Sequence, residues 1–175
     1  MKVVRFTALV AIVAVAALAP LRAQDKDAKE VAAAIASFKS SDAVLTKWFG
    51  AAYGYVVFPK ITKGAVVVGG ASGDGSVYEK GTYIGDARLT QATIGAQLGG
   101  QSFSEVIFFE TKAALDRFKE NRFEMSAGLS AVAAGEGTSK DAKYAEGVAV
   151  FTLAKKGLMA EASVGGQKFK FTPKK

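Results

Sequence analysis

The sequence predicts an α+β fold: a β-rich single domain built on a curved, glycine-rich antiparallel sheet or partial barrel, with two N-terminal helices and one inserted helix. Three observations carry that expectation. From Tyr53 onward, short β-branched and aromatic runs are cut by glycine, the grammar of a sheet that bends, bulges and lets backbones approach closely. Before Tyr53, apolar residues recur at helical spacing, and between Thr111 and Asn121 that spacing returns once. The 175 residues suffice for one domain with its own core, and past the first residues no composition break, long linker or fixed-period repeat divides them.

Residues 1–23 stand apart. Lys2 and Arg5 form a positive start, Phe6 to Leu18 is apolar or small without a charge, and Pro20 and Ala23 close the segment. That is the layout of a secretory signal peptide cut after Ala23. The apolar run is short of the ~20 residues that span a bilayer, and no cysteine follows the cut to take a lipoprotein anchor. Without Lys2, Arg5 and Arg22 the formal charge falls from +7 to +4. A mildly basic domain suits anionic headgroups, as do many solvated surfaces. The expected location is periplasmic or secreted, peripheral to the envelope membranes. With no cysteine there is no disulfide framework, so packing must supply the stability.

The first helix is expected over Asp25–Phe38, with Ala28, Val31, Ala32, Ile35 and Phe38 on its apolar face. Ser40-Ser41-Asp42 reads as an N-cap cluster before a short helix from Ala43 to Phe49, in which Val44, Leu45, Trp48 and Phe49 share a face and Gly50 is the stop. Strands are expected at Tyr53–Phe58, Ala65–Ser72, Ser76–Tyr78, Thr82–Ala87, Gln91–Gln101 and Ser104–Glu110. Gly73-Asp74-Gly75 reads as a hairpin turn and Pro59 as a strand end. Thr111 is the expected cap of a helix through Asn121, with Ala114, Leu115 and Phe118 facing inward. Further strands are expected at Glu124–Ala134, Tyr144–Leu153, Leu158–Val164 and Lys168–Thr172, with a loop at Gly135–Ser139 and a turn at Lys155-Lys156-Gly157.

The chain has no histidine and no cysteine, which rules out a Ser-His-Asp triad, a cysteine nucleophile and the usual zinc ligand sets. Asp74, Asp86, Glu105, Glu110, Glu136 and Glu161 fall in no spacing that argues for a catalytic pair, and read as turn formers or solvent-facing strand residues. The glycines at Gly70, Gly73 and Gly75 precede a strand rather than a helix, so they make no dinucleotide fingerprint. Basic residues are too dispersed for a nucleic-acid stripe. The expectation is therefore a non-enzyme with no cofactor, no metal and no nucleic-acid partner. Phe58, Tyr78, Tyr83, Phe103, Ile107, Phe109, Phe151 and Phe169 line either a core or an apolar cavity. Lys60, Lys63, Lys80 and Arg88 sit near expected strand ends, where they either meet phosphate at a cavity mouth or simply solvate a rim. Lys47 beside Trp48 is a pairing common at lipid interfaces, and equally fits a buried helix with a snorkelling lysine.

Phe58-Pro59-x-Ile61-Thr62-Lys63, followed by Gly69-Gly70 and Gly73-x-Gly75, resembles the SYLF domain, a lipid-binding family also named for a yeast actin-patch protein. Gly95-x-Gln97-x-Gly99-x-Gln101, Ala131-Val132-Ala133-Ala134-Gly135 and Gly157-Leu158-Met159-Ala160 with Ser163 and Gly166 continue the resemblance in order, over roughly Ala43 to Phe171. Glu161 stands where the family often has glycine. The resemblance implies phospholipid binding, with basic residues and an amphipathic N-terminal segment at the membrane. Export places actin and phosphoinositides out of reach. The resulting expectation is an exported domain that binds anionic phospholipid through a basic rim of Lys47, Trp48, Lys60, Lys63, Lys80 and Arg88, with acyl chains in an apolar interior. The alternative is a small outer-membrane β-barrel. Against it stand the three helices and a C-terminus, Thr172-Pro173-Lys174-Lys175, that lacks an aromatic strand end.

Overall fold

A computed structural model describes residues 19–64, 68–94, 101–121, 123–125, 131–133, 138–154 and 166–175. Helix α1 (Ala19–Ser41) and helix α2 (Leu45–Ala51) precede four strands, β1 (Gly54–Gly64), β2 (Val68–Glu79), β3 (Thr82–Ile94) and β4 (Gln101–Phe109). Helix α3 (Lys112–Lys119) follows, then the two-residue β5 (Val132–Ala133), a 3-10 turn at Thr138–Asp141, and strands β6 (Val148–Ala154) and β7 (Gln167–Pro173). The strands lie in the order β5-β6-β4-β1-β2-β3-β7. All neighbours are antiparallel except β5 and β6. The α+β, β-rich class and the placement of the three helices are as the sequence led us to expect.

Alternation along each strand builds two apolar layers. Phe103, Ile107 and Phe109 of β4 face the concave side with Val56, Phe58 and Ile61 of β1, Leu89 of β3 and Phe169 of β7. Helix α3 closes that side with Ala114, Leu115 and Phe118, the three residues its periodicity assigns inward. Val57, Val106, Phe108 and Phe151 face the other way, beneath α1 and α2. The aromatic residues expected in one lining are thus divided: Phe151 and Tyr78 belong to the outer layer. On the concave side the Phe118 ring lies 5.1 Å from Phe109 and 5.3 Å from Phe169, so the described interior is occupied by the chain's own rings.

Several local expectations change. Gly73-Asp74-Gly75 is not a turn but mid-β2. A Cβ at Gly75 would stand 2.5 Å from the Val57 carbonyl oxygen, so glycine here admits β1 rather than reversing the chain. The reversal comes later, at Lys80-Gly81, where φ values of 48° and 78° make the two-residue turn whose twist matches a hairpin. Two short expected strands therefore merge into β2, and two more into β3. Pro59 lies inside β1, where the register shifts against both neighbours; a bulge is where a strand tolerates proline. Its carbonyl accepts the Ser104 hydroxyl at 2.8 Å. The buried face of α1 is Val31, Ala34 and Phe38, and Ala28 and Ala32 are exposed.

The N-cap cluster expected at Ser40-Ser41-Asp42 is not what opens α2: Ser40 and Ser41 end α1, and the N-cap position is Val44, without a side-chain cap. Asp42 instead ties the junction together: its Oδ1 accepts the Val44 N–H at 3.0 Å, while its Oδ2 accepts the Ser139 N–H and hydroxyl at 2.9 and 2.6 Å. The cap expected on the third helix does hold. Thr111 caps α3 through the Ala114 N–H. The signal segment 1–18, the strand expected at Leu158–Val164, the turn at Lys155-Lys156-Gly157 and most of Gly135–Ser139 lie outside the described residues.

Among the described residues no ladder joins β7 back to β5 or β6, and helices cover part of both faces. A spanning barrel closes on itself; among the described residues this sheet does not. No described helix is long and apolar enough to cross a membrane.

Candidate functional site

Where α1 stops covering the outer face of the sheet, a cleft of about 530 Å³ opens over β1, β2, β3 and β7. Its floor is set by strand register. Lys60 pairs with Asp74, Asp74 with Arg88, and Arg88 with Lys170. Four charged residues from four strands thus stand in one cross-strand row on one face. The alternation that buries Ile61, Gly75, Leu89 and Phe169 turns their row neighbours outward. Asp27 and Glu30 of α1 form the opposite wall, and Asp86 and Thr172 close one end.

The row is open to solvent. Arg88 Nη1 donates to Asp74 Oδ1 at 2.9 Å and to Oδ2 at 3.2 Å, with side chains 58% and 74% exposed. Such a surface pair is weak, so an incoming anion can take the guanidinium from Asp74. Lys60 and Lys170 are exposed beside it. The cleft walls carry three cations and four carboxylates, a mixed field that suits a ligand bearing both an anionic and a donor group. Asp86 also accepts the Tyr83 hydroxyl at 2.8 Å. Burial and that hydrogen bond push the Tyr83 phenol up to about 12, so it stays a neutral donor.

Of the six residues the sequence suggests for a basic rim, the structure brings together two, Lys60 and Arg88. Lys63 is elsewhere. It lies on the concave face with its Nζ 5.1 Å from the centre of the Phe103 ring. Burial lowers its pKa, against a raising influence from Glu105. Lys60 and Lys63 are not at a strand end but inside β1, three residues apart in regular register, so alternation puts them on opposite faces. Lys80 occupies the β2–β3 turn, over the Tyr53 ring at 5.2 Å, and Lys47 is exposed on α2. Trp48 is half-buried against Phe108, Tyr144 and Phe151, with centroids at 5.7, 4.9 and 5.2 Å. It is the pin that docks α2 on the sheet.

Sequence reasoning missed Lys170 and Glu105. For Lys170 the signal was present: Gln167, Phe169 and Phe171 alternate with Lys168 and Lys170, so the lysines must share the outer face. Glu105, expected toward solvent, is fully buried. Its neighbours Phe103 and Ile107 are the period-two partners that signal an inward position. No group of carboxylates that would hold a metal ion occurs among the described residues.

Comparison with known proteins adds a relation. Residues 90–174 match the family described as Ysc84, Las17-binding protein actin regulator. Beta cell expansion factor A of Aeromonas veronii is 32% identical over 125 residues, which cover 69% of this chain and 46% of that protein. The chain therefore spans about half the length of that curated relative.

Proposed function

Because the chain belongs, through residues 90–174, to the Ysc84 or SYLF family, we propose that it is an exported, non-catalytic protein that binds phospholipid headgroups at a membrane surface. The observation that carries this reading is the cross-strand row Lys60–Asp74–Arg88–Lys170 along the floor of an open cleft. Three cations on a rigid sheet supply phosphate contacts. The carboxylates of α1 disfavour a bare polyanion, and Asp27 among them offers an acceptor to a headgroup amine or hydroxyl. Acyl chains stay in the bilayer, since the concave side is filled by its own aromatic residues. Anionic lipid raises the local concentration of a protein with excess positive charge, and each Lys or Arg at such a surface adds about 1 kcal/mol.

Export rests on residues 1–23. Cleavage after Ala23 trims α1 but keeps Val31, Ala34 and Phe38, its buried contacts. In the periplasm or outside the cell the partner is a membrane lipid and not actin.

Purified residues 24–175, mixed with vesicles of anionic phospholipid at low salt, should co-sediment. Binding should weaken as salt shortens the Debye length. Protein left wholly in the supernatant at low salt rejects the reading.

A further inference from the structure

Glu105 lies mid-β4 on the concave face, and Gln167 starts β7; both are 0% exposed. Strands β1, β2 and β3 intervene between them in the sheet. The curvature nonetheless brings the two side chains together, and Gln167 Nε2 donates to Glu105 Oε2 at 3.0 Å. Each residue keeps one buried oxygen, Glu105 Oε1 and Gln167 Oε1, without a hydrogen-bond partner. Buried acceptors left without a donor are costly and uncommon.

The neighbours do not remedy this. On β1, Phe58 pairs with Glu105, and on β6 its partner is Thr152; on β3 the buried Gln91 pairs with Gln167 but donates to neither orphaned oxygen. Phe103 and Ile107 flank it on β4. Met125 meets Gln167 through the backbone, its N–H donating to the Gln167 carbonyl at 3.3 Å. Among the described residues the charged group acting on Glu105 is Lys63 of β1. That ammonium sits over the Phe103 ring and makes no ion pair with the carboxyl.

A single proton resolves both orphans. A protonated carboxyl has one O–H donor and one acceptor oxygen, and a primary amide has the matching pair. We propose that Glu105 and Gln167 form a proton-binding latch, in which a proton on Glu105 Oε1 completes an acid–amide pair tying β4 to β7 across the concave face, and loss of that proton loosens the tie. Desolvation pushes the Glu105 carboxyl up to about 7 against the lowering influences of Gln167 and Lys63. The folded chain therefore holds this proton where the unfolded chain, at the ordinary value of 4.5, has lost it. The latch's contribution is fully present below 4.5 and disappears as pH rises through about 7. Lys170 stands on the opposite face of β7, so release of the latch reaches the strand that carries one end of the cleft's charged row.

Two measurements on the full chain test the latch, and neither depends on lipid. The first follows the Glu105 carboxyl carbon of the wild-type protein by carbon-13 NMR, and its midpoint should fall near 7. A midpoint in the ordinary carboxylate range, or no transition between about pH 5 and about pH 9, overturns the proposal. The second is urea unfolding over the same range for wild type and Glu105→Gln, which keeps two complementary amides. Wild-type stability should fall through neutrality while the variant stays level. An equal fall in both also overturns the latch. If the variant does not fold, the wild-type NMR titration alone decides.

Discussion

Phe118→Ala should destabilise the fold by about 3–5 kcal/mol, the cost of emptying a large buried aromatic site. Phe118 is fully buried, and its ring meets Phe109, Phe123 and Phe169 at 5.1, 6.2 and 5.3 Å. It is the contact through which α3 joins β4 to β7 across the concave face. Those partners sit on separate elements, so the site cannot collapse around a methyl group without moving α3 as a body. Urea unfolding of the variant measures the loss. A change below about 1 kcal/mol would mean that α3 is not the lid of this core.

The other large effect comes from adding atoms. Gly75→Val puts a Cβ 2.5 Å from the Val57 carbonyl oxygen and 2.6 Å from the Phe58 ring. The obstacle is backbone, which cannot swing aside as a side chain can, so β2 must part from β1. A cost at or above the upper end of the ~1–3 kcal/mol seen for overpacking is expected. Gly50→Ala serves as control. Nothing lies within 4 Å of its added Cβ, and in helix α2 alanine should stabilise by about 0.5–1 kcal/mol. Paired thermal melts of the two variants should move in opposite directions. A Gly75→Val protein as stable as wild type would contradict the close β1–β2 approach.

Much of this architecture could be read from the residues. Helical spacing located all three helices, and Thr111 marked where α3 begins, because capping chemistry is local. What the sequence did not reveal is set by partners distant along the chain. Whether Gly-Asp-Gly turns a chain or admits a neighbouring strand depends on what lies beside it, and at Gly75 that neighbour is the Val57 carbonyl. Lys60 and Lys63 looked equivalent because the strand was expected to end at Phe58; β1 instead continues through the Pro59 bulge to Gly64, and their three-residue spacing then puts them on opposite faces. The charged row was hidden in the same way. Lys60, Asp74, Arg88 and Lys170 are spread over 111 positions of sequence and meet only through three strand registers. Glu105 was misread because a carboxylate is ordinarily a solvent-facing residue, and its partner Gln167 lies 62 positions away.

The most direct measurement is binding of the Lys60→Gln, Lys170→Gln double variant to anionic vesicles across a salt series, beside Lys80→Gln. Removing two of the row's cations should cost about 2 kcal/mol, on the order of thirtyfold in affinity, and flatten the salt dependence. The fold should be unchanged, since both side chains are exposed. Lys80, at the β2–β3 turn away from the cleft, should matter less than either. Wild-type affinity in the double variant at every salt concentration, or an equal loss from Lys80→Gln alone, would contradict the placement of the lipid site on the charged row.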